Sequence, residues 1–140
     1  MCWDVAAEYP CDALSPGRAR RFCAEQISAI LGDGGARDTV IEDATIIVSE
    51  LVTNSVNAGC RVVRVGLTIH RDRLQLCVYD DAPGRPRVER PGPQDVHGRG
   101  LAITAALADD WGVERAANGK QVWAELQFPA LLTERLDCTV

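Results

Sequence analysis

Glu50 and Asn54 lie one helical turn apart and carry oxygen atoms of the kind used in phosphate and metal chemistry. They fall in a stretch whose apolar residues recur at helical spacing, which predicts a long helix. Four polar residues line one border of its apolar face, and none of them is basic: Asp43, Glu50, Asn54 and Asn57. Polar groups next to a core cost free energy if they lose water without gaining partners. Spacing alone leaves two interpretations open, a helix with a polar edge and a ligand pocket whose oxygens are offered to a metal.

An amide oxygen next to a carboxylate is suited to phosphoryl chemistry. Mg²⁺ prefers oxygen ligands, phosphates and retained waters, so the Asn54 amide oxygen is a candidate ligand. The Glu50 carboxylate is a candidate general base, because it can take a proton from an attacking hydroxyl.

Two further stretches carry groups that a nucleotide can use. Asp80 ends a predicted strand and Gly84 follows in a turn, so this carboxylate can accept a hydrogen bond from an adenine amino group. Gly98-Arg99-Gly100-Leu101 opens a predicted helix, whose free N–H groups and positive dipole end attract phosphate. The glycines let that backbone approach a ligand closely. Each signal is weak alone, since acids at strand ends are usually caps and Gly-x-Gly is more often a turn. Their order and spacing together are much more specific.

Hydrophobic periodicity predicts the elements that would position these residues. The predicted strands are 2–9, 61–70, 73–80, 111–115 and 122–128, and the predicted helices are 16–31, about 38–58 and 98–108. Ser15 is the expected N-cap of the first helix, and Gly59 is the expected residue just after the second. Residues 85–97 contain three prolines and no helix or strand period, which is typical of a functional or disordered loop.

The order strand, helix, helix, strand, strand, loop, helix, strand, strand segregates helices from strands. It predicts an α/β protein, a two-layer α/β sandwich with a mostly antiparallel mixed sheet covered on one face by helices. The 140 residues suit a single domain with a core from about 16 to 128. A dinucleotide-binding fold and a P-loop are excluded, because no third glycine follows Gly100 at the required spacing and no Gly-Lys-Ser/Thr occurs.

Composition excludes several classes of protein. Apolar residues at 46% and charged residues at 25% describe an ordinary soluble globular chain. The net charge of −5 argues against direct nucleic-acid binding, which would require a basic patch. No apolar run approaches the ~20 residues that span a bilayer, and the N-terminus lacks the features of a signal peptide. We therefore expect a cytoplasmic protein with no membrane partner.

The six cysteines form no Cys-x-x-Cys pair, and with two histidines they give little support to a zinc site. An even number of cysteines suggests disulfides in a secreted chain, but nothing here signals secretion. Cys23 and Cys77 are interpreted as small buried hydrophobes, and Cys2 and Cys138 as free thiols near the termini.

Taken together, the three stretches resemble the motifs of the Bergerat-fold (GHKL) ATPases, which include histidine kinase catalytic domains and bacterial anti-sigma factor kinases. Glu50-Leu-Val-x-Asn54 resembles the N box, Asp80-x-x-x-Gly84 the G1 box, and Gly98-x-Gly100-Leu101 the G2 box. Residues 85–97 correspond to the ATP lid. The resemblance covers about 16–128 and is closest to the small single-domain anti-sigma factor serine/threonine kinases and their actinobacterial histidine kinase-like relatives, which the stretch 111–126 also resembles.

The resemblance implies ATP or ADP with Mg²⁺ as cofactors. Asn54 would hold Mg²⁺, Glu50 would be the base or orient the attacking group, and Asp80 would recognise adenine. The pocket and phosphate loop would be formed by Gly84 and by the segment Gly98, Arg99, Gly100 and Leu101.

Three positions depart from the family pattern. Ala58 replaces a frequent histidine, Ala82 replaces the first G1 glycine, and Gln121 replaces the threonine of Gly-Lys-Thr in the last strand. The first is expected to matter little. The other two are expected to weaken adenine binding, which leaves kinase turnover open.

Two functions of different class remain. One is a protein serine/threonine kinase that binds a sigma factor and phosphorylates an antagonist protein, and Glu50 favours it. The other is a nucleotide-binding interaction module with little or no kinase activity, which Ala82 and Gln121 favour. A homodimer is also compatible with the resemblance. The arginines at 18, 20 and 21 are either solvated or contact phosphate or an acidic partner.

Overall fold

Five strands and three helices form the fold in the computed structural model, which describes residues 3–83 and 99–136. The strands are β1 (Trp3–Pro10), β2 (Val62–His70), β3 (Arg73–Asp80), β4 (Asp110–Ala116) and β5 (Gly119–Gln127). The helices are α1 (Ser15–Ile30), α2 (Gly35–Asn57) and α3 (Arg99–Leu107), and a short 3₁₀ turn follows at Ala130–Thr133.

The strands form one sheet in the order β1-β2-β3-β5-β4. Every pairing is antiparallel, so the expected mixed sheet is wholly antiparallel in the part of the chain described. Period-two alternation directs one side of each central strand inward, where alternate residues of β2 and β3 are fully or almost fully buried. That side packs against the buried faces of α1 and α2. The predicted two-layer α/β sandwich is confirmed.

The start of α1 differs from the prediction, because Ser15 is its first residue rather than its N-cap. The N-cap is Leu14, whose side chain cannot cap. The buried Ser15 hydroxyl instead donates to the carbonyl of Pro10. The Asp12 carboxylate accepts a hydrogen bond from the N–H of Leu14 at 2.9 Å. This contact stabilises the turn that precedes the helix.

Helix α2 starts earlier than predicted, at Gly35, and ends as predicted. Its C-cap is Ala58, and Gly59 follows with φ +84°, a conformation that glycine adopts without the steric cost of a Cβ atom. Among the described residues, no helix is long and apolar enough to cross a membrane.

A disulfide joins Cys11, just after β1, to Cys60, just after α2, with 5.7 Å between their Cα atoms. The sequence argument against disulfides is therefore wrong for this pair, because the fold brings together two residues 49 positions apart. Cys23 is a buried free thiol as predicted, whereas Cys77 is only partly buried. Cys2, Cys138, the predicted lid at 85–97 and the glycines Gly84 and Gly98 lie outside the described residues.

Candidate functional site

Asp80 is a buried carboxylate at the end of β3, with 1% of its surface exposed. It points inward because it continues the alternation of Leu74, Leu76 and Val78 along the strand. Its Oδ1 atom accepts a hydrogen bond from the N–H of Ala82 at 3.0 Å, and its Oδ2 atom is hydrogen-bonded to the hydroxyl of Ser55. An ionised carboxylate has about four acceptor positions, so these two bonds leave capacity for a ligand donor.

The Ser55–Asp80 hydrogen bond joins α2 to β3 and brings two predicted motifs together. Ser55 is buried on the core side of α2 and directly follows Asn54. Its hydroxyl is also 3.1 Å from the carbonyl of Leu51, one turn earlier. Because a hydroxyl has one proton, it can donate to one of these two acceptors at a time.

Glu50 and Asn54 are both half-buried on α2. Neither side chain forms a hydrogen bond or ion pair with another residue in 3–83 or 99–136. Their oxygen atoms are therefore available to a ligand.

The polar border of α2 faces α3. Asp43, at the other end of that border, lines a groove with Leu107 and Asp109 at the end of α3. Residues seven and eleven positions after Asp43 return to nearly the same side of an α-helix, which places Glu50 and Asn54 on this border too. Burial raises the pKa of Asp43, and the negative charges of Glu42 and Asp109 raise it further.

Helix α3 begins at Arg99, so Gly100 lies in its first turn as the sequence predicted. Leu101 is partly buried and packs against the core cluster, which anchors this turn next to α2. The structure thus packs α2 against α3, places the Asp43 end of the border beside the end of α3, and links α2 directly to Asp80.

Asp81 has a different role from its neighbour. Its Oδ1 atom accepts hydrogen bonds from the N–H of Arg61 at 2.7 Å and from the N–H of Val62 at 3.1 Å. The bond from Arg61 and then that from Val62 lower the pKa of the Asp81 carboxyl. Asp81 therefore stabilises the start of β2, whereas the buried Asp80 carboxylate can still accept further hydrogen bonds.

Two residues that the sequence analysis did not single out lie against Asp80. Lys120 is its register partner on β5, and the Lys120 Nζ atom is 3.9 Å from the Asp80 Oδ2 atom. A Cβ atom at Gly119 would overlap the backbone carbonyl oxygen of Asp80, so only glycine allows this close approach. A sequence signal did exist, because Gly119 and Lys120 directly precede Gln121 in the stretch compared above with Gly-Lys-Thr.

Gln121 does not lie beside Asp80. It pairs with Tyr79 and points to the face of the sheet away from the helices, where its Nε2 atom is 3.7 Å from the Cys77 sulfur. Gln121 therefore does not contact Asp80, and the expectation that it weakens adenine binding stays a prediction. The residue on the same side of the sheet as Asp80 is Lys120.

The donor set around α2 fits a magnesium ion that keeps most of its ligands from phosphate and water. In the part of the chain described, no cluster of three or more His, Cys, Asp or Glu side chains could hold a metal. Mg²⁺ commonly binds through one or two protein oxygens plus substrate phosphates, which the uncommitted amide of Asn54 and carboxylate of Glu50 can provide.

Comparison with known proteins agrees with this arrangement. The family model of the histidine kinase-like ATPase domain matches residues 13–126. No curated protein has a detectable match to the chain. The matched region runs from the start of α1 into β5 and includes Glu50, Asn54 and Asp80. Because this match covers most of its length, the chain belongs to the histidine kinase-like ATPase family.

Proposed function

We propose that this protein is an ATP-binding regulator of the anti-sigma factor kinase type. It transfers the γ-phosphate of ATP to a serine or threonine of an antagonist protein, sequesters a sigma factor, or does both. The observation that carries the proposal is the hydrogen bond between Ser55 and the buried Asp80 carboxylate. That bond makes one site from the two stretches whose residue types suit adenine and phosphate.

Adenine recognition is assigned to Asp80. Its carboxylate accepts a hydrogen bond from the 6-amino group, using acceptor capacity that Ser55 and Ala82 leave open. Hydrogen bonds to charged groups contribute about 1.5–3 kcal/mol, so this contact is worth a tenfold or larger change in affinity.

Phosphate binding is assigned to the start of α3 and to Glu50 and Asn54 on the polar border of α2. The first turn of α3 offers backbone N–H groups, with Gly100 among them. Asn54 supplies a side-chain oxygen for Mg²⁺, which when bound neutralises charge on the phosphates. Glu50, one turn before Asn54, takes the proton of the attacking serine or threonine hydroxyl.

Ala82 and Gln121, the two departures that were expected to weaken adenine binding, are both compatible with an intact Asp80 site. Ala82 contributes its backbone N–H to Asp80 at 3.0 Å, a bond that does not require glycine. Among the described non-glycine residues, only Arg71 has a positive φ, so Ala82 is not strained there. Gln121 lies on the opposite face of the sheet from Asp80. A nucleotide-binding interaction module remains the alternative, distinguished by the absence of phosphotransfer.

The first test is a calorimetric titration of ATP and ADP, with and without Mg²⁺, against the wild-type protein and two matched variants. Asp80→Asn replaces an acceptor by an amide and should weaken binding about tenfold or more. Asp81→Asn makes the same change at the neighbouring carboxylate, which accepts hydrogen bonds from the backbone N–H groups of Arg61 and Val62. It should leave nucleotide affinity unchanged. Equal affinities of all three proteins would refute the adenine site, and absence of binding to wild type would refute nucleotide binding altogether.

The second test separates the kinase from the binding module. The protein is incubated with γ-labelled ATP, Mg²⁺ and candidate antagonist proteins, and transfer to serine or threonine is followed by mass spectrometry. Transfer that requires Mg²⁺ supports the kinase. Nucleotide binding and sigma-factor capture with no transfer to any antagonist that binds would favour the interaction module.

A further inference from the structure

Lys120 is the only lysine in the sequence, and it lies at the buried carboxylate of Asp80. Its Nζ atom is 3.9 Å from the Asp80 Oδ2 atom, with 27% of the lysine side chain exposed against 1% of the aspartate side chain. Gly119 holds the start of β5 against the backbone of Asp80, because any side chain there would overlap the Asp80 carbonyl oxygen. The absence of a side chain at Gly119 therefore allows the close backbone approach that brings Lys120 to Asp80.

The ammonium group is a neighbour of the carboxylate rather than a hydrogen-bonded partner. A distance of 3.9 Å exceeds the 2.7–3.2 Å of an N–H···O hydrogen bond. Asp80 already receives hydrogen bonds from Ser55 and Ala82, so Lys120 is not needed to satisfy it. An ammonium group has three donors, and no hydrogen bond joins that of Lys120 to another residue in the described ranges. A donor and an acceptor thus stand side by side at one point.

An adenine ring presents the complementary pair. Its 6-amino group is a donor, and the ring nitrogens N7 and, on the Watson–Crick edge, N1 flank that group as acceptors. Asp80 matches the amino group, and the ammonium of Lys120 matches a ring nitrogen. We propose that Lys120 is a base-recognition residue, which donates a hydrogen bond to N1 or N7 while Asp80 accepts one from the 6-amino group. This inference rests on the proposed nucleotide site.

A purely structural role for Lys120 predicts something different. If the lysine acts only as a counter-ion that keeps Asp80 charged, its removal weakens every adenine nucleotide equally, whether or not a ring nitrogen has been replaced by carbon. If Lys120 instead donates a hydrogen bond to one ring nitrogen, that bond is lost either by replacing the lysine or by replacing the nitrogen with carbon. Making both changes together then weakens binding no more than making one of them.

The experiment measures the affinities of ADP, 1-deaza-ADP and 7-deaza-ADP for wild type and Lys120→Met by calorimetry. Wild type should bind one of the two analogues about tenfold or more weakly than ADP, because a charged hydrogen bond is lost. Lys120→Met should bind ADP with a similar loss and should no longer distinguish that analogue from ADP. Arg64→Met is the control, since it removes a positive charge from the outer face of the sheet, and it should behave as wild type.

Three outcomes overturn the inference. The first is an ADP affinity that is the same in Lys120→Met as in wild type. The second is a loss of affinity in Lys120→Met that is equal for ADP, 1-deaza-ADP and 7-deaza-ADP. The third is a wild-type protein that binds both analogues as tightly as ADP. Each of these leaves ADP binding by the wild type intact, so nucleotide binding would survive. A wild type that fails to bind ADP at all would instead overturn the proposed function and this inference together.

A second measurement uses the native protein and does not depend on the folding of a variant. Lys120 is the only side-chain amine, so acetylation by an amine-reactive ester can be followed at this one residue by peptide mass spectrometry. Saturating ADP should slow acetylation of Lys120 about tenfold and leave that of the terminal amine unchanged. An acetylation rate that does not change with ADP would overturn the contact.

Discussion

Asp80 and Asp81 are adjacent carboxylates with opposite tasks. Alternation along β3 directs Asp80 into the fold, where it has 1% exposure and bonds to one hydroxyl and one N–H. Asp81, the next residue, instead accepts the N–H groups of Arg61 and Val62 at the start of β2. We therefore propose a recognition role for Asp80, whereas Asp81 stabilises the fold. A substitution at each position should show this difference.

Asp81 should make the protein sensitive to acid. The hydrogen bonds from Arg61 and Val62 lower the pKa of Asp81 in the folded protein below the usual 3.8. Its stabilisation is therefore present above about pH 4 and is lost as the pH falls through the folded pKa. Asp81→Asn should have a lower melting temperature than wild type at neutral pH, and the difference should narrow below pH ~4. Melting curves from pH 7 to pH 3 test this, and a difference that widens in acid would contradict it.

Glu50 should separate chemistry from binding. It is half-buried on α2 and uncommitted among the described residues, which suits a proton acceptor. Glu50→Ala should retain nucleotide but transfer phosphate ~10²–10⁴ times more slowly, the usual contribution of a general base. Single-turnover transfer to an antagonist measures the rate, and the ADP titration measures binding.

The control for Glu50 is its neighbour along the same border. Asp43→Ala removes a carboxylate seven residues earlier, next to the end of α3, and should leave the transfer rate unchanged. If Glu50→Ala transfers phosphate at the wild-type rate, the base lies elsewhere.

Helix α2 connects the core, the site and the disulfide. Its inner face carries buried residues of the core, including Ile47 and Val52, and the same face presents Ser55 to Asp80. Just past its end, the N–H of Cys60 donates to the carbonyl of Ser55 at 3.3 Å, and Cys60 is bonded to Cys11. The disulfide thus holds the end of α2 that carries Ser55.

Removing this disulfide should destabilise the protein by roughly 2–4 kcal/mol, because the bond closes a long loop in the unfolded chain. Cys11→Ser/Cys60→Ser should unfold at lower urea concentration than oxidised wild type, and reductant should lower the wild-type midpoint in the same way. The double variant also serves as the control for effects of the reductant itself, because reductant should not change the urea midpoint of a protein that lacks this disulfide. Burial raises the pKa of the Cys23 thiol to about 12, so that residue should not react. Identical midpoints for wild type with and without reductant would show that the bond contributes nothing.

The surface divides into distinct regions. The proposed nucleotide site lies on the side of α2 that faces α3, whereas the inner face of α2 belongs to the core. Arg18, Arg20 and Arg21 are all exposed on α1. In a protein of net charge −5, this is a local concentration of positive charge, which suits an acidic patch on a partner protein.

Arg20→Glu/Arg21→Glu should slow association with a sigma factor or antagonist about tenfold, most strongly at low salt, and leave ATP affinity unchanged. Surface plasmon resonance at two salt concentrations measures the association rate, and calorimetry measures ATP binding. Arg64→Glu/Arg73→Glu is the charge-matched control on the outer face of the sheet and should not slow association. Lost ATP binding with intact partner binding would place these arginines in the phosphate site instead.

Local sequence was sufficient to predict most of the helices and strands. Alternation in 62–70 and 73–80 is a property of neighbouring residues, so both strands and the short turn between them were predicted closely. Gly59 ends α2 as expected, because its φ of +84° is a local requirement. Glu50 and Asn54 were placed on one border of a helix by their spacing alone.

Contacts between distant residues required the tertiary structure. Ser55 meets Asp80 across 25 positions and Cys11 meets Cys60 across 49, and no local pattern specifies either pair. The choice between Lys120 and Gln121 beside Asp80 depended on the register of β5 against β3, and a shift of one residue moves every side chain to the other face. Spacing within an element is set by backbone geometry, whereas register and pairing are set by how whole elements pack. The sequence therefore identified the candidate carboxylates and the candidate amide, whereas packing alone decided the positions of Lys120, Ser55 and the disulfide.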